Sequence, residues 1–467
     1  MDALLRSATA VCPFVASDFD DHRHYVRSVR ITRDLLQSRL RCAAGSAAAR
    51  LGLDRFLHTR RLASRPLLGA ASRAAFHSLR TRALVLCAED TTFARANDGY
   101  APDDAGALRS ARDRGYVVHL ATAVDPESGF PLAFLGAHVW TRAATLHLQN
   151  HKDRPASSRE SMKWAELRAE LHEQANRAGF VGRIVSVNDR EGDAWNSLHD
   201  AVTKPHELIT RATQNRALVG ERLKLRPFLR SRPVAATIRL PLWTSKSTDR
   251  RRTATVAVRF ARVTLRVPRS AERDQRTPLE LTAIALEEVS PPRGSTRFRS
   301  LLLTTCACDT LEQVLEVVRY YGCRWGVEIH NDVLKNGLQV EHVGIADVEA
   351  MARLVAVSGP AAAEITRWVA AARGPEPAPL PEVLDRATLR ELEQACEYHR
   401  VPKPAEWTLP SVLFALARIA GADVRPTRPP GWRVVWRGWK RFEEFRRIRA
   451  FRASPSTRNT TAPLDDS

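Results

Sequence analysis

Two stretches of this chain are built the same way, and together they restrict the fold more than anything else in the sequence. ALVLCAEDTT, starting at position 83, is an apolar run that ends in two acids and two threonines. RIVSVNDREGDAWNSLHD, starting at position 183, is a second apolar run, ended by Asp189 and followed by a helical pattern from near Glu191. Short continuous apolar runs are strands covered on both faces. Each therefore predicts a buried strand that delivers an aspartate, Asp90 or Asp189, at its tip. Between them GYVVHLATAVD and PLAFLGAHVW, separated by PESGF, predict a hairpin, and residues 157–178 predict a helix. HELITRATQNR then adds a strand ending in Arg211, Asn215 and Arg216. Three strands, a helix, a strand, a helix and a strand fit an α/β layer with mixed pairing. A single aspartate at a strand end is most often a turn or cap residue, so neither aspartate gains a role from its own position alone.

A third acid comes from a helix. Thr310 and Gln313 have the spacing of a capping box, and Leu311, Val314, Leu315 and Val318 form an apolar stripe behind it, so the helix starts near Thr310. Residues 321–335, YGCRWGVEIHNDVLK, continue it. At about 100° per residue, Tyr321, Arg324, Glu328 and Lys335 point to roughly 0°, 300°, 340° and 320°. One face, about 21 Å long at ~1.5 Å per residue, thus carries a phenol, a guanidinium, a carboxylate and an ammonium. That set suits a phosphodiester: Arg324 and Lys335 for the phosphate oxygens, Tyr321 for one hydrogen bond, Glu328 for a divalent metal. The plainer alternative is a solvated face on which Asp332, at roughly 20° on the same arc, pairs with Lys335. Gly322 and Gly326 argue against it, because each costs an exposed helix about 1 kcal/mol relative to Ala. Glycine there implies close approach by something.

The spacing Tyr-x2-Arg-x3-Glu-x6-Lys resembles the Y-R-E-K signature of the insertion-sequence-four family of bacterial DDE transposases. The run LLLTTCACDTLEQVLEVVRYYGCRWGVEIHNDVLKNG and SMKW at 161–164 resemble blocks of the same family. EDTT and VNDREGD stand where the family has its first and second catalytic aspartates. The resemblance covers roughly residues 84–344. It implies an α/β fold with a ribonuclease-H-like catalytic core and a β-rich insertion, flanked by helical N- and C-terminal regions. It implies Asp90, Asp189 and Glu328 as catalytic and metal-binding residues for two Mg²⁺ ions, with Mn²⁺ as a substitute. It also implies Tyr321, Arg324, Lys335, Arg211 and Trp325 as DNA- or phosphate-binding residues. In the family a tryptophan directly precedes the LLLTT strand and helps hold a flipped base. Here that position is Ser300, and Phe298, two residues away, is the candidate for base stacking.

Composition bears on the partner. Lys plus Arg number 72 against 52 Asp plus Glu, a formal charge of +20 that favours a polyanion such as nucleic acid. Only 8 of the basic residues are Lys, an imbalance that coding bias also produces. The seven cysteines are scattered without C-x-x-C spacing, which predicts neither a disulfide framework nor a zinc cluster. Cys306 and Cys308 fall two apart on a predicted strand, as a buried pair. No apolar run reaches the ~18 residues of a membrane span, and MDALLRSATAVCPF lacks a signal-peptide pattern, so the expected compartment is the cytoplasm, and the resemblance implies a bacterial one, at the nucleoid.

The expected organisation follows. Residues 1–82, with 15 Arg, no Lys and six Asp, form a basic helical DNA-binding region in which Leu51, Leu53, Phe56 and Leu57 back a face with Arg55, Arg60 and Arg61. The core occupies 83–216 and 306–372. Between them, 217–305 is the β-rich insertion: TATVAVRFARVTLRVP and LELTAIALEEV alternate apolar and polar residues, and KLRPFLRSRP and TDRRRT read as basic loops. Residues 373–452 form a helical region, which the resemblance makes one of dimerisation and DNA contact, with RGPEPAPLP as an exposed linker. There, 425–452 holds ten basic residues against two acids, interleaved with Trp432, Trp436, Trp439 and Phe442. These aromatics fit a DNA-facing surface and the core side of an amphipathic helix equally well. Residues 453–467 are an expected disordered tail.

The resemblance implies cut-and-paste DNA transposition: metal-dependent endonucleolytic cleavage at the transposon ends, then strand transfer into target DNA by a homodimer bound to double-stranded DNA. Two alternatives stay open. One is a two-metal nuclease that hydrolyses without joining. The other is a transposase-derived DNA-binding protein without catalysis, suggested by Ser300 and by the absence of the family's Gly-Asp-x-Arg entry motif.

Overall fold

The computed structural model describes residues 14–37, 47–96, 102–108, 113–142, 160–242, 252–373, 380, 384–425 and 429–453. Ten strands join in one mixed sheet: β1 (Leu84–Arg95), β2 (Gly106–Ala107), β3 (Arg114–Val124), β4 (Pro131–Trp140), β5 (Arg183–Asn188), β6 (Glu207–Arg211), β7 (Ala236–Leu242), β8 (Arg252–Leu265), β9 (Leu279–Glu288) and β10 (Arg299–Thr304). β3 carries β4 and β2 on one edge and β1 on the other, and the order continues β5, β6, β10, β9, β8, β7. The pairs β1–β5 and β5–β6 are parallel; every other pairing is antiparallel. The expected hairpin is β3–β4. The insertion's strands do not form a sheet of their own, because β10 pairs with β6 and continues the core sheet outward.

Helices lie on both sides of the first half of this sheet. Alternation along β1 sends Val85 and Cys87 to one face, where they pack with Phe76 of α3 (Ser64–Ser78) and Leu167 and Leu171 of α4 (Lys163–Arg177). Leu86 and Ala88 go to the other face, into the core with Val314 and Val318 of α7 (Leu311–Cys323), Val327 of α8 (Trp325–Asp332) and Leu354 of α9 (Val348–Ala371). By the same period of two, Glu89 belongs to the α4 side and Asp90 to the α8 side. Two-sided burial explains why these strands read as continuous apolar runs. The remaining core helix, α5 (Trp195–Thr203), packs with α6 (Leu225–Arg230) against β8, β9 and β10 through Leu198, Phe228, Leu265, Leu281 and Leu303.

Helices also occupy both ends of the chain. In front come α1 (His22–Gln37), α2 (Ala47–Leu57) and α3; behind come α9, α10 (Arg386–Tyr398), α11 (Leu409–Ile419) and α12 (Trp432–Ala453). Phe56 and Leu57 are buried while Leu51 is exposed, and α2 stops at Leu57, so Arg60 and Arg61 lie beyond it. In α12 the aromatics are core: Trp436, Trp439 and Phe442 are at most 5% exposed, and Trp436 Nε1 donates to the carbonyl of Gly337 at 3.0 Å. Gly438 lets this helix touch α11, since a Cβ there would strike the Leu416 carbonyl.

Several expectations need correction. KLRPFLRSRP is not a basic loop but contains α6, whose Leu225, Phe228 and Leu229 are buried. Cys306 and Cys308 lie past the end of β10, and only Cys306 is buried. The helix expected near Glu191 is a single 3-10 turn, Arg190–Gly192, followed by α5. The start of the 157–178 helix, most of TDRRRT and of the proline-rich linker, and nearly all of the 453–467 tail lie outside the described residues. Among the described residues, no helix is long and apolar enough to cross a membrane.

Candidate active site

Asp90 is not at the tip of its strand. β1 runs five residues further and keeps its pairing with β3 as far as Arg95, whereas its parallel pairing with β5 stops at Glu89 opposite Asn188. Asp90 is thus the first residue of β1 beyond the end of β5, and Asp189 is the first residue after β5. One step further in the same register sets the two aspartates side by side. This is the end of parallel strands, where an α/β sheet leaves backbone and side chains open to a ligand.

The loop carrying Asp189 is pinned at two points. The Asp189 carboxylate accepts the Glu191 backbone N–H at 2.7 Å, capping the 3-10 turn. Asp193, fully buried, accepts the backbone N–H groups of Thr213 and Gln214 at 2.7 and 2.8 Å and pairs with buried Arg216 at 2.5 Å. The loops after β5 and β6 are therefore locked together, which also places Arg211, at the end of β6.

The helix supplies the third acid much as expected. Thr310 caps α7 with a complete capping box to Gln313. Near Arg324 the α-helical pattern is interrupted, then resumes as α8, and residues Val333–Gly337 form a π-helical turn. Of the two glycines, Gly326 answers to close approach and Gly322 does not. A Cβ on Gly326 would lie 2.7 Å from the Gly129 carbonyl and 2.8 Å from Val124, whereas one on Gly322 would meet nothing within 4 Å. What approaches is the protein's own β3–β4 turn, so α8 sits low on the sheet. Buried His330 holds it there, bonded to Thr122 of β3 at 2.7 Å and to the Gly359 carbonyl of α9 at 2.9 Å. The carbonyl accepts only, so Nε2 carries the proton and Nδ1 accepts from the Thr122 hydroxyl.

These placements bring Asp90, Asp189, Glu328, Tyr321, Arg324 and Arg211 into one electrostatic neighbourhood. Burial pushes the Asp90 carboxyl up to about 7; Arg324 opposes this, and the charges of Asp189 and Glu328 add to it. Arg324 forms an ion pair with Glu328 at 2.7 Å. Burial alone would lower the guanidinium's pKa, but Glu328, Tyr321 and Asp90 outweigh it and raise it. The Tyr321 phenol is pushed up by burial, with Arg324 and Arg211 pulling it down and Asp189 adding to the rise.

The other expected residues are placed as follows. Lys335 sits in the π-turn and meets Glu341 at 3.7 Å. Asp332, offered by the sequence as its partner, is taken by Arg433 of α12 at 2.7 Å and accepts from Asn336. Trp325 is 55% exposed, directly after Arg324. Beside the acids a pocket of about 380 Å³ opens over the β6–β10–β9 strip, walled by Arg190, Arg211, Arg226, Arg230, Arg259 and Arg299 above an apolar floor. Ser300 lines this pocket and Phe298 does not; the Phe298 ring is half-buried against the core, and its N–H donates to Glu288.

One neighbour of Asp90 was not legible as a site residue. Asn331, 8% exposed, donates from Nδ2 to Asp90 Oδ2 at 2.8 Å. It lies three residues after Glu328, and that spacing on one helix face is the only signal the sequence offered.

Three carboxylates form the hard-oxygen donor set that Mg²⁺ or Mn²⁺ takes. The elevated Asp90 carboxyl shows that its surroundings oppose its charge despite Arg324. On those two grounds the residues fit a divalent cation. They are not drawn into a closed ligand cluster among the described residues, and the hydrogen bonds say why. Glu328 is held by Arg324, Asp189 by its own turn and Asp90 by Asn331. No protein-family model matches the chain.

Proposed function

We propose that this protein is a DDE transposase of the insertion-sequence-four type, acting on the ends of a DNA element and joining them to target DNA. The observation that supports this reading is that Asp90 on β1 lies near enough to Asp189, after β5, and Glu328, on α8, for their charges to raise its carboxyl, beside Tyr321, Arg324 and Arg211. The strand order supports a ribonuclease-H-like core: an antiparallel trio, then two strands parallel to β1, with the third acid on a later helix. The six-arginine pocket beside the acids supports a polyanionic substrate. A second basic pocket of about 570 Å³, between α1 and α2, is lined by Arg23, Arg27, Arg55 and Arg61 and supports DNA contact at the amino-terminal helices.

In this reading Asp90, Asp189 and Glu328 would hold two divalent ions, whose chemistry when bound would be activation of water for attack on a phosphodiester and stabilisation of the leaving 3′ oxygen. Arg211 and Arg324 neutralise the phosphate, and Tyr321 donates to one of its oxygens. The Asp193–Arg216 lock keeps Asp189 and Arg211 in step. Homodimeric assembly on double-stranded DNA and a place at the bacterial nucleoid belong to the same proposal.

The test is cleavage of DNA from the regions flanking the gene, with Mg²⁺ or Mn²⁺. Metal-dependent nicks at inverted repeats are expected, followed by joining when pre-cut ends are supplied with a target plasmid. Nicking without joining makes the protein a nuclease. Binding without nicking makes it a transposase-derived DNA-binding protein.

A further inference from the structure

The three acids differ in what holds them. Glu328 is tied by an ion pair of two long side chains, and Asp189 by its own backbone turn. Asp90 is tied by Asn331, a neutral side chain with no other hydrogen bond: Asn331 Oδ1 is buried and has no partner in the protein. The amide is oriented with Nδ2 2.8 Å from Asp90 Oδ2 and Oδ1 turned away, the orientation that suits the ionised carboxylate, which only accepts. A buried, unpartnered amide oxygen costs about 1–3 kcal/mol, and a packing role alone would be filled better by an apolar side chain.

We propose that Asn331 is a positioning residue of the acidic site: its amide holds one oxygen of Asp90 and so turns the other toward the space shared with Asp189 and Glu328. Because Asn331 is three residues from Glu328 on α8, the same helix both contributes one acid and aims another. A shift of α8 therefore moves both groups together. The Asn331–Asp90 bond stands on the structure alone; its consequence for cation binding rests on the reading given above.

The test is a double-mutant cycle on the full chain: native, Asn331→Ala, Asp90→Asn and the double variant. Each is titrated with Mn²⁺ by calorimetry and by electron paramagnetic resonance of the free ion. In the native background, loss of the amide weakens Mn²⁺ binding about tenfold, the lower end for a side chain that orients a ligand. In the Asp90→Asn background the same substitution changes nothing further. An equal loss in both backgrounds, or none in either, overturns the proposal, because a residue that merely packs the helix acts regardless of Asp90. If the native protein binds no Mn²⁺, the metal reading falls, and the same four proteins unfolded in urea without metal decide Asn331. Non-additive midpoints support the bond and additive ones overturn it. Asn331→Leu, similar in size and without the amide, replaces Asn331→Ala if the latter does not fold.

Discussion

The two halves of the sheet are continuous in hydrogen bonding and opposite in burial. From β3 to β6, helices cover both faces: after its first residue β3 is buried throughout, and the charges there meet one another with little water between them. From β9 to β7 coverage is one-sided. β7 alternates half-buried and exposed residues along its whole length, and charged residues of β8–β10 form ion pairs such as Arg262–Glu280, Arg299–Glu287 and Arg252–Glu288. One half pushes an acid, Asp90, up to about 7 by burial. The other spreads arginine over a more solvated surface and pairs it with carboxylates, the Arg252 hydrogen bond holding Glu288 down to about 2. The lesson is that the layer over the sheet, more than the sheet itself, decides what a charged residue on it can do.

If the comparison holds, the largest effects belong to the covered half. Asp90→Ala, Asp189→Ala and Glu328→Ala are each expected to lower metal-dependent nicking at least about a hundredfold while gel-shift affinity for the same DNA stays within about threefold. A variant that retains cleavage removes that acid from the site. The lock between the loops after β5 and β6 comes next. Asp193→Ala leaves Arg216 buried without its partner and frees the loops after β5 and β6. A loss of about 3–5 kcal/mol in urea unfolding is expected; a loss under about 1 kcal/mol would mean that the two loops are not locked there.

A smaller effect has a definite sign with pH. Asp90, at about 7 when folded against 3.8 as its ordinary value, binds a proton more tightly in the native state. Its contribution to stability is therefore full at low pH and is lost as pH rises from about 4 through about 7. Asp90→Asn, which cannot ionise, should stabilise the metal-free protein by up to about 4 kcal/mol at pH 8 and by almost nothing at pH 4. Thermal melts at the two pH values check this. A stabilisation that is equal at both pH values would trace to something other than the charge.

The covered half was also the more legible. Runs such as LVLCA and IVSVN identify strands buried on both faces without reference to partners, and the Thr310 cap is a local event written in four residues. What stayed illegible depends on contacts between distant segments. The sequence shows where β1 begins, but Asp90 has meaning only because β5 stops one residue earlier. Gly326 signalled a close approach without saying that the neighbour is Gly129. Lys335 follows α-helical arithmetic only until the π-turn at Val333. In the uncovered half, the strand β7 went unread because Pro241 and charged neighbours hide its alternation.

The weakest expected effect tests the uncovered half directly. Arg262 and Glu280 face each other across β8 and β9 at 2.5 Å, yet their side chains are 69% and 58% exposed. At that exposure, attraction is screened by water and salt, and the order imposed on two long side chains offsets much of it. Arg262→Ala should therefore change urea stability by no more than about 0.5 kcal/mol, with the difference shrinking further at 0.5 M NaCl. A loss several times larger would show that this face is covered in solution, by DNA or by a second copy of the chain. The contrast between the two halves would then belong to the isolated protein alone.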